Sequence, residues 1–397
     1  MKEVRYGIVG AGNQGTYYAL RLDGKEVPES RLTAVADNNP VKIDAIRGKL
    51  SDGVLYYSDY KKMLDDGVCD AVLVVVPHYD HPEIVIECLR RGVHVITDKP
   101  AAVYTKQVEE MNAAAEKSDA LFGMMFNQRT NALYRKMKEI IAEGGIGELQ
   151  RVNWIITDWF RTQNYYDSGS WRATWKGEGG GVLINQCPHQ LDLVQWVVGE
   201  MPVAVNGFCK YGKWHDVEVE DEVTAYFEYA NGASGVFITT TGEAPGTNRF
   251  EVSGTKGKLL CENKKLYYYK NEVDSQEFSR TSKESFAAPK CEVIEPETDG
   301  QNPQHVGILK NFTEAILHHT PLFVDGREGI RGVELMNAIE LSGWHDGQKV
   351  RLPIDGDLYY NELMKHVKVS RFKTGNDNAV EGTLNFGTGF VKVKSEK

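Results

Sequence analysis

No stretch of this 397-residue chain approaches the roughly 18 uninterrupted apolar residues of a membrane-spanning helix, which argues against a membrane protein. The opening residues, MKEVRYGIVGAG, lack the basic start, apolar stretch and small-residue cleavage site of a secretory leader and run straight into a strand pattern. The expectation is a soluble, cytoplasmic protein. Basic runs are missing as well: 46 Lys and Arg face 56 Asp and Glu, for a formal charge of -10. That balance repels a phosphate backbone at long range and argues against a nucleic-acid partner. The six cysteines (Cys69, Cys88, Cys187, Cys209, Cys261 and Cys291) form no CxxC pair and have no neighbouring histidine at zinc-finger spacing, so they read as buried free thiols. Internal repeats and long low-complexity tracts are also absent.

What remains is enough chain for two domains at about 150 residues each. They are expected at 1–126 and 127–397. The first alternates β-branched runs (4–9, 32–36, 71–76, 93–97 and 121–126) with helical stretches (17–22, 41–49, 60–64, 82–91 and 107–118). This is the pattern of a doubly wound parallel sheet, here of five strands, covered on both faces. After Gly147 longer strand-like runs follow at 149–159, 203–211, 222–229, 233–241, 249–254 and 259–269, several joined by hairpin turns such as Asn231-Gly232. An open, largely antiparallel sheet with helices is expected, making the fold class α/β throughout. One helix from near Asn185 to a Gly199 stop interrupts it. The polar stretch 271–303 reads as a surface excursion, 305–318 and 329–343 as helices, and the last thirty residues are Gly-, Asn- and Lys-rich with weak periodicity.

Gly10, Gly12 and Gly15 spell GxGxxG directly after the first strand and at the mouth of a helix, the context that makes the motif informative. The first two permit a tight turn and close approach of a pyrophosphate, Gly15 lets the helix pack on the strand, and the N–H groups around Asn13 and Gln14 face the phosphates. Asp37 ends the second strand, where a carboxylate bonds the adenosine ribose and repels a 2'-phosphate. Only Asn38, Asn39 and Pro40 follow, with no Arg or Lys, so NAD is favoured over NADP. Pro77, His78 and Asp98 complete the expected cofactor contacts on this domain.

Lys99 leaves the carboxyl edge of the sheet, where open α/β sheets bind ligands. To exchange a proton at neutral pH a lysine must fall from about 10.4 to about 7 or 8. Partial burial beside a positively charged nicotinamide would lower it in that sense. Further on, Glu178 and three glycines precede Asn185, His189 and Asp192 at i, i+4 and i+7. If one helix includes Asn185 these share a face, whereas Pro188 in a first turn would leave Asn185 outside it. His189 suits acid/base work, while the other histidines lack comparable company. His189 and Asp192 are too few for a metal site, so none is expected.

GIVGAGNQG, Asp98-Lys99-Pro100, and GGGVLINQCPHQLD with its trailing Trp196 and Gly199 resemble the Gfo/Idh/MocA oxidoreductase family over nearly the whole chain. The resemblance implies NAD(P)-linked oxidation or reduction of sugars, cyclitols and related polyols, with Lys99 and His189 as catalytic residues. It also implies that Pro100 follows a cis peptide, as in several members. Asp98 stands where the family usually has Glu. Asn185 stands where inositol-dehydrogenase-like members usually have Asp, so an acid/base relay rests on Lys99 and His189, with Asp192 as an orienting partner. Cys187, where many members have Gly, reads as packing. The aromatic and Arg-rich loop with Asp158, Arg161 and Tyr165 is assigned to substrate, as are Asn127, Arg129, Asn185 and Asp192. Trp171 and Arg172 are assigned to the nicotinamide side.

The leading reading is a hydride transfer between NAD and a secondary hydroxyl or ketone of a sugar, cyclitol or glycoside, with C3 of a glycoside one candidate. The alternatives are a redox-neutral glycoside-processing enzyme that retains its NAD and a non-catalytic dinucleotide-binding sensor. An open sheet face and the family's habits point to a homodimer or homotetramer.

Overall fold

The computed structural model describes residues 2–371 and 373. They form two units, one of residues up to Thr130 with Gly177–Gly179 and Asn302–Val333, the other of Asn131–Lys176, Gly180–Gln301 and the chain from Glu334 on.

The first unit holds β1 (Val4–Val9), β2 (Ser30–Ala36), β3 (Leu55–Tyr57), β4 (Ala71–Val74), β5 (His94–Thr97) and β6 (Phe122–Met124) in the order β3-β2-β1-β4-β5-β6. All pairs are parallel. Six strands stand where five were expected, because β3 is three residues long and pairs only with Ala34–Ala36, too short for a period to register. Helices α1 (Asn13–Asp23), α2 (Pro40–Arg47), α3 (Tyr60–Asp65), α4 (His81–Arg90) and α5 (Thr105–Ala115) make the crossovers. The central strands are apolar along their length because both faces are covered: Val72, Leu73, Val95 and Ile96 are fully buried.

The second unit opens with α6 (Ala132–Ala142) and carries β7 (Leu149–Ile156), α7 (Gln163–Asp167), α8 (Val182–Asn185), α9 (Pro188–Val198), β8 (Ala204–Tyr211), β9 (Glu220–Glu228), β10 (Ser234–Thr240), β11 (Asn248–Gly254), β12 (Gly257–Glu262), β13 (Lys265–Asn271), α10 (Ser275–Thr281) and β14 (Cys291–Ile294). The chain then passes through α11 (Gln304–His318) in the first unit and α12 (Gly329–Trp344), returning for β15 (Val350–Arg351) and α13 (Gly356–Val369). Within the first unit, α11 is fixed by Thr313, whose hydroxyl lies 2.8 Å from that of Tyr6, and by Phe312 against Gly123, where a Cβ would come within 2.9 Å of the ring.

The second sheet runs β14-β13-β12-β11-β7-β10-β9-β8-β15, antiparallel except where β7 meets β10. Its core centres on Trp154, fully buried and stacked on Phe250 at 4.2 Å, with Phe237 edge-on. The run expected as a single strand over 259–269 is instead the hairpin β12–β13. Its turn is Asn263 and Lys264, at φ 52° and 60°. Two left-handed residues are what a two-residue hairpin needs, but a lysine is not the residue that signals it. The polar excursion is largely exposed yet supplies α10 and the edge strand β14, and Cys291 within it is exposed, unlike the five buried cysteines. Helix α13 carries no counterpart among the expected elements. The chain from 374 on, within the Gly-, Asn- and Lys-rich tail, lies outside the described residues. No helix among them is long and apolar enough to cross a membrane.

Candidate active site

In the first unit Gly10 sits at φ +106°, and a Cβ there would lie 2.1 Å from the Val75 carbonyl oxygen. At Gly15 a Cβ would lie 1.8 Å from the Gly10 oxygen, so neither tolerates a side chain. Around Gly12 nothing comes within 4 Å of that position, which leaves the mouth of α1 open on one side. Helix α1 then starts at Asn13 with no side-chain cap, leaving first-turn N–H groups of the kind that bind phosphate. Asp37 accepts N–H bonds from Ala11 at 2.7 Å and Asn39 at 2.8 Å, tying the end of β2 to the glycine turn, while Asn38 is exposed. These residues fit a dinucleotide: a close-approach turn, an uncapped helix start, and a carboxylate beside both.

At the carboxyl edge, Lys99 is half-buried and precedes a cis bond to Pro100. Asp98 points inward. It accepts the Tyr18 O–H at 3.1 Å and the Lys99 N–H at 2.8 Å. Gln14 also bonds Tyr18. Two histidines join this edge, although neither has sequence neighbours that mark it. His81 is buried with Nδ1 2.8 Å from the Pro100 carbonyl and Nε2 2.9 Å from that of Val76, so it bridges the ends of two strand loops. Burial pushes its pKa down, and the two carbonyls and Asp98 oppose that. The His305 ring lies 5.5 Å from those of both Tyr17 and Tyr18, and burial lowers its pKa as well, opposed by Asp98 and assisted by Lys99. Pro77 is exposed, whereas His78 is buried with Nδ1 3.1 Å from the Glu178 carbonyl. Asn127 is buried and donates to Gln304, and Arg129, fully buried, pairs with Glu328 at 2.9 Å.

In the second unit the expected single helix is two. Asn185 ends α8, and His189 lies half-buried in the first turn of α9, where Pro188 starts the helix; Gly199 at φ +89° stops it. The start of α8 has no local cap. Glu220, from β9 and 1 % exposed, serves instead: its carboxylate accepts the Gly181 N–H at 2.8 Å and the Leu183 N–H at 3.0 Å. Nothing in the sequence signals a cap from so far along the chain. Beside it Glu340 is fully buried, Tyr359 donates to its Oε2, and burial followed by repulsion from Glu220 drives its pKa well up.

Asn185 Oδ1 accepts the Tyr165 O–H at 3.3 Å and a Gln186 N–H at 3.1 Å. Arg172 Nη1 donates to the Tyr165 oxygen at 2.7 Å, and its guanidinium lies 4.3 Å from the Tyr165 ring centre and 4.7 Å from that of Trp171. Arg161 approaches the Tyr165 ring at 5.2 Å. His215 lies 3.2 Å from Asp221 through Nδ1 and 3.0 Å from the Arg161 carbonyl through Nε2, so it positions this loop. Asp158 accepts from Asn248 at 3.4 Å, and burial raises its pKa. Asp192 is buried and accepts from Gln195 at 3.2 Å; Cys187 packs with its sulfur 3.1 Å from the Thr239 hydroxyl. Among the described residues no group of three or more His, Cys, Asp and Glu side chains is placed to hold a metal.

A six-stranded parallel sheet with a glycine turn, an acid closing β2 and a lysine after β5 defines a dinucleotide-dependent oxidoreductase. Residues 4–126 match the model of the oxidoreductase family with an NAD-binding Rossmann fold, and 134–260 match the GFO/IDH/MocA C-terminal domain. The chain belongs to the GFO/IDH/MocA oxidoreductase family, a family of NAD-dependent enzymes that act on CH–OH groups of sugars and cyclitols. It is 28% identical to a myo-inositol 2-dehydrogenase of Thermotoga maritima over 66% of this chain and 75% of that protein. It is 26% identical to a levoglucosan dehydrogenase of Pseudarthrobacter phenanthrenivorans over 66% of this chain and 74% of that one. A WlbA dehydrogenase from Chromobactrium violaceum, solved with NADH and UDP-GlcNAcA, superposes with a TM-score of 0.77 at 26% identity, covering 89% of this chain and 97% of its own.

Proposed function

We propose that this protein transfers a hydride between NAD and a secondary hydroxyl or ketone of a sugar, cyclitol or glycoside, C3 of a glycoside being one candidate position. The observation that carries the reading is Asp37, whose carboxylate bonds the glycine turn it would share with a dinucleotide. Bound NAD supplies the hydride acceptor or, reduced, the donor. Gly10, Gly12, Gly15, Asn13, Gln14, Asp37, Asn38, Pro77, His78 and Asp98 are the proposed cofactor contacts on this chain, joined by Trp171 and Arg172. Lys99 and His189 hold and move the hydroxyl proton, and Asp158, Arg161, Tyr165, Asn185 and Asp192 bind substrate. Asn127 and Arg129, both buried, belong to this set as supports of the adjoining backbone. The names of the sugar and inositol dehydrogenases it resembles support the substrate class. Five buried free cysteines accord with a reducing cytoplasm, and the long open sheet with a homodimer or homotetramer.

The experiment is NADH absorbance with purified protein and NAD across sugars, cyclitols and glucosides, after assay for carried-over cofactor. NADH accumulating with one stereochemical class supports the reading. Tightly retained NAD with substrate consumed and no net NADH moves it to redox-neutral chemistry; no turnover in either direction leaves a sensor.

A further inference from the structure

We propose that Ser370, Arg371 and Lys373, just beyond α13, form a strap that holds the loop 161–176 in place for the substrate, with Ser370 and Lys373 as its positioning residues. The proposal rests on the hydride-transfer reading, because it gives the end of the chain a task at that site.

The strap bonds the loop along its main chain. Lys373 is half-buried, and its Nζ donates to the Arg172 carbonyl at 3.2 Å and to the Tyr166 carbonyl at 3.4 Å. An ammonium has three donors, so one side chain spans both carbonyls. The Ser370 oxygen accepts the Lys176 N–H at 3.1 Å, and its hydroxyl donates to Glu218. That carboxylate is shared between the two segments: it accepts the Trp175 N–H at 2.8 Å from the loop and the Arg371 N–H at 2.6 Å from the strap. Arg371 also pairs at 2.5 Å with Asp216, whose N–H donates to the Gln163 side chain of the loop at 2.9 Å. One turn earlier, His366 of α13 stacks on Trp344 at 4.6 Å and lies 5.0 Å from the Trp175 ring.

These contacts bear on the residues assigned to substrate and nicotinamide. Arg172 Nη1 donates to the Tyr165 oxygen at 2.7 Å, and the two carbonyls that Lys373 holds belong to Arg172 and to the neighbour of Tyr165. Ala173, which follows the Arg172 carbonyl, is buried at φ +52°. An alanine keeps that left-handed conformation only where its surroundings impose it. A charged donor on a carbonyl bonds more strongly than a neutral one, which suits Lys373 to the task. Chain ends are ordinarily loose unless tied down. Here the tie runs to loop backbone, so the strap fixes where the loop runs, and a segment misplaced by about 1 Å can cost about a hundredfold in rate.

The test compares the full chain with the double variant Ser370→Ala, Lys373→Met, and with the single variants Lys373→Met and Lys373→Arg. Hydrogen exchange with NADH bound should run about tenfold faster at the amides of 163–176 in the double variant. It should rise less in Lys373→Met and return to the parent's rate in Lys373→Arg, which keeps the donors. Exchange in β9 and β10 should not move, nor should the dissociation constant of ADP-ribose, which lacks the nicotinamide half. Initial rates with NAD are taken on myo-inositol, D-glucose and methyl β-D-glucoside. For whichever of these the parent oxidises, KM should rise and kcat/KM fall about tenfold in the double variant, and Lys373→Arg should restore both. Loop exchange at the parent's rate in the double variant overturns the strap. A loosened loop with kcat/KM intact overturns its positioning role, and exchange that rises across the whole second unit does so too, because the fold and not the loop has then given way. If the parent turns over no probe while the loop loosens as stated, the hydride-transfer reading falls and the strap stands.

Discussion

Glu340 offers a stability measurement whose sign is fixed by its surroundings. The side chain is fully buried, Tyr359 donates to Oε2, and Oε1 has no hydrogen-bond partner among the described residues. Glu220 next to it already bears the charge, because its carboxylate takes the N–H groups of Gly181 and Leu183. Glu340 is therefore the protonated member, with its pKa raised by burial and by Glu220. An acid whose folded pKa is raised keeps its proton in the native state where the unfolded chain has released it. Stability is then lost as pH rises from the ordinary glutamate range toward the folded value, at up to about 1.4 kcal/mol per pH unit. Glu340→Gln has nearly the same shape, keeps an acceptor for Tyr359 and removes this slope. At about pH 4 the two proteins should unfold at similar urea concentrations, and by neutral pH the variant should be the more stable. All seven tryptophans fall in the second unit, so intrinsic fluorescence follows the unit that contains Glu340. A stability difference that stays flat from pH 4 to 8 would refute the assignment of the proton.

Removing the partner acid should act differently: Glu220→Ala leaves two buried N–H groups without their acceptor and should cost about 2–5 kcal/mol by fluorescence-monitored unfolding. A loss under 1 kcal/mol would mean that α8 is capped some other way. Asp37→Ser should weaken NADH binding at least tenfold and narrow its preference over NADPH; an unchanged ratio of the two dissociation constants would remove Asp37 from the ribose. Lys99→Ala should bind NADH within threefold of the parent and lose about 10²-fold or more in turnover, so retained turnover at normal affinity ends its role in the proton path.

The sequence made the first unit legible because a parallel sheet covered on both faces needs near-continuous apolar strands, and β1, β2, β4, β5 and β6 have them. The glycine turn and Asp37 were legible for the same reason that they work: only certain residues fit a turn where a Cβ would meet Val75 or Gly10. Contacts made across sequence were not. His81, His305 and His215 carry no local mark, and what distinguishes them is a carbonyl, a tyrosine pair or an aspartate brought up by the fold. Pro188 marked where α9 starts and put Asn185 before it, but nothing signalled that Val182–Asn185 form a helix of their own, and the return of the chain to the first unit through α11 had no signal beyond its apolar spacing. Lys264 hid a hairpin because left-handed lysine is uncommon.

Strand β9 begins with Glu220 and Asp221, and consecutive strand residues project to opposite faces. One reaches the start of α8; the other gathers the N–H groups of Lys213, Trp214 and His215, and through His215 the carbonyl of Arg161. Two segments of the site are thus indexed to a single strand with a separation of one residue. A deletion or insertion at the head of β9 would send each carboxylate to the other's side. Anyone transplanting the Arg161 loop into a relative to change its specificity has to carry this acidic pair and its register along with the loop, or the loop will arrive without its anchor.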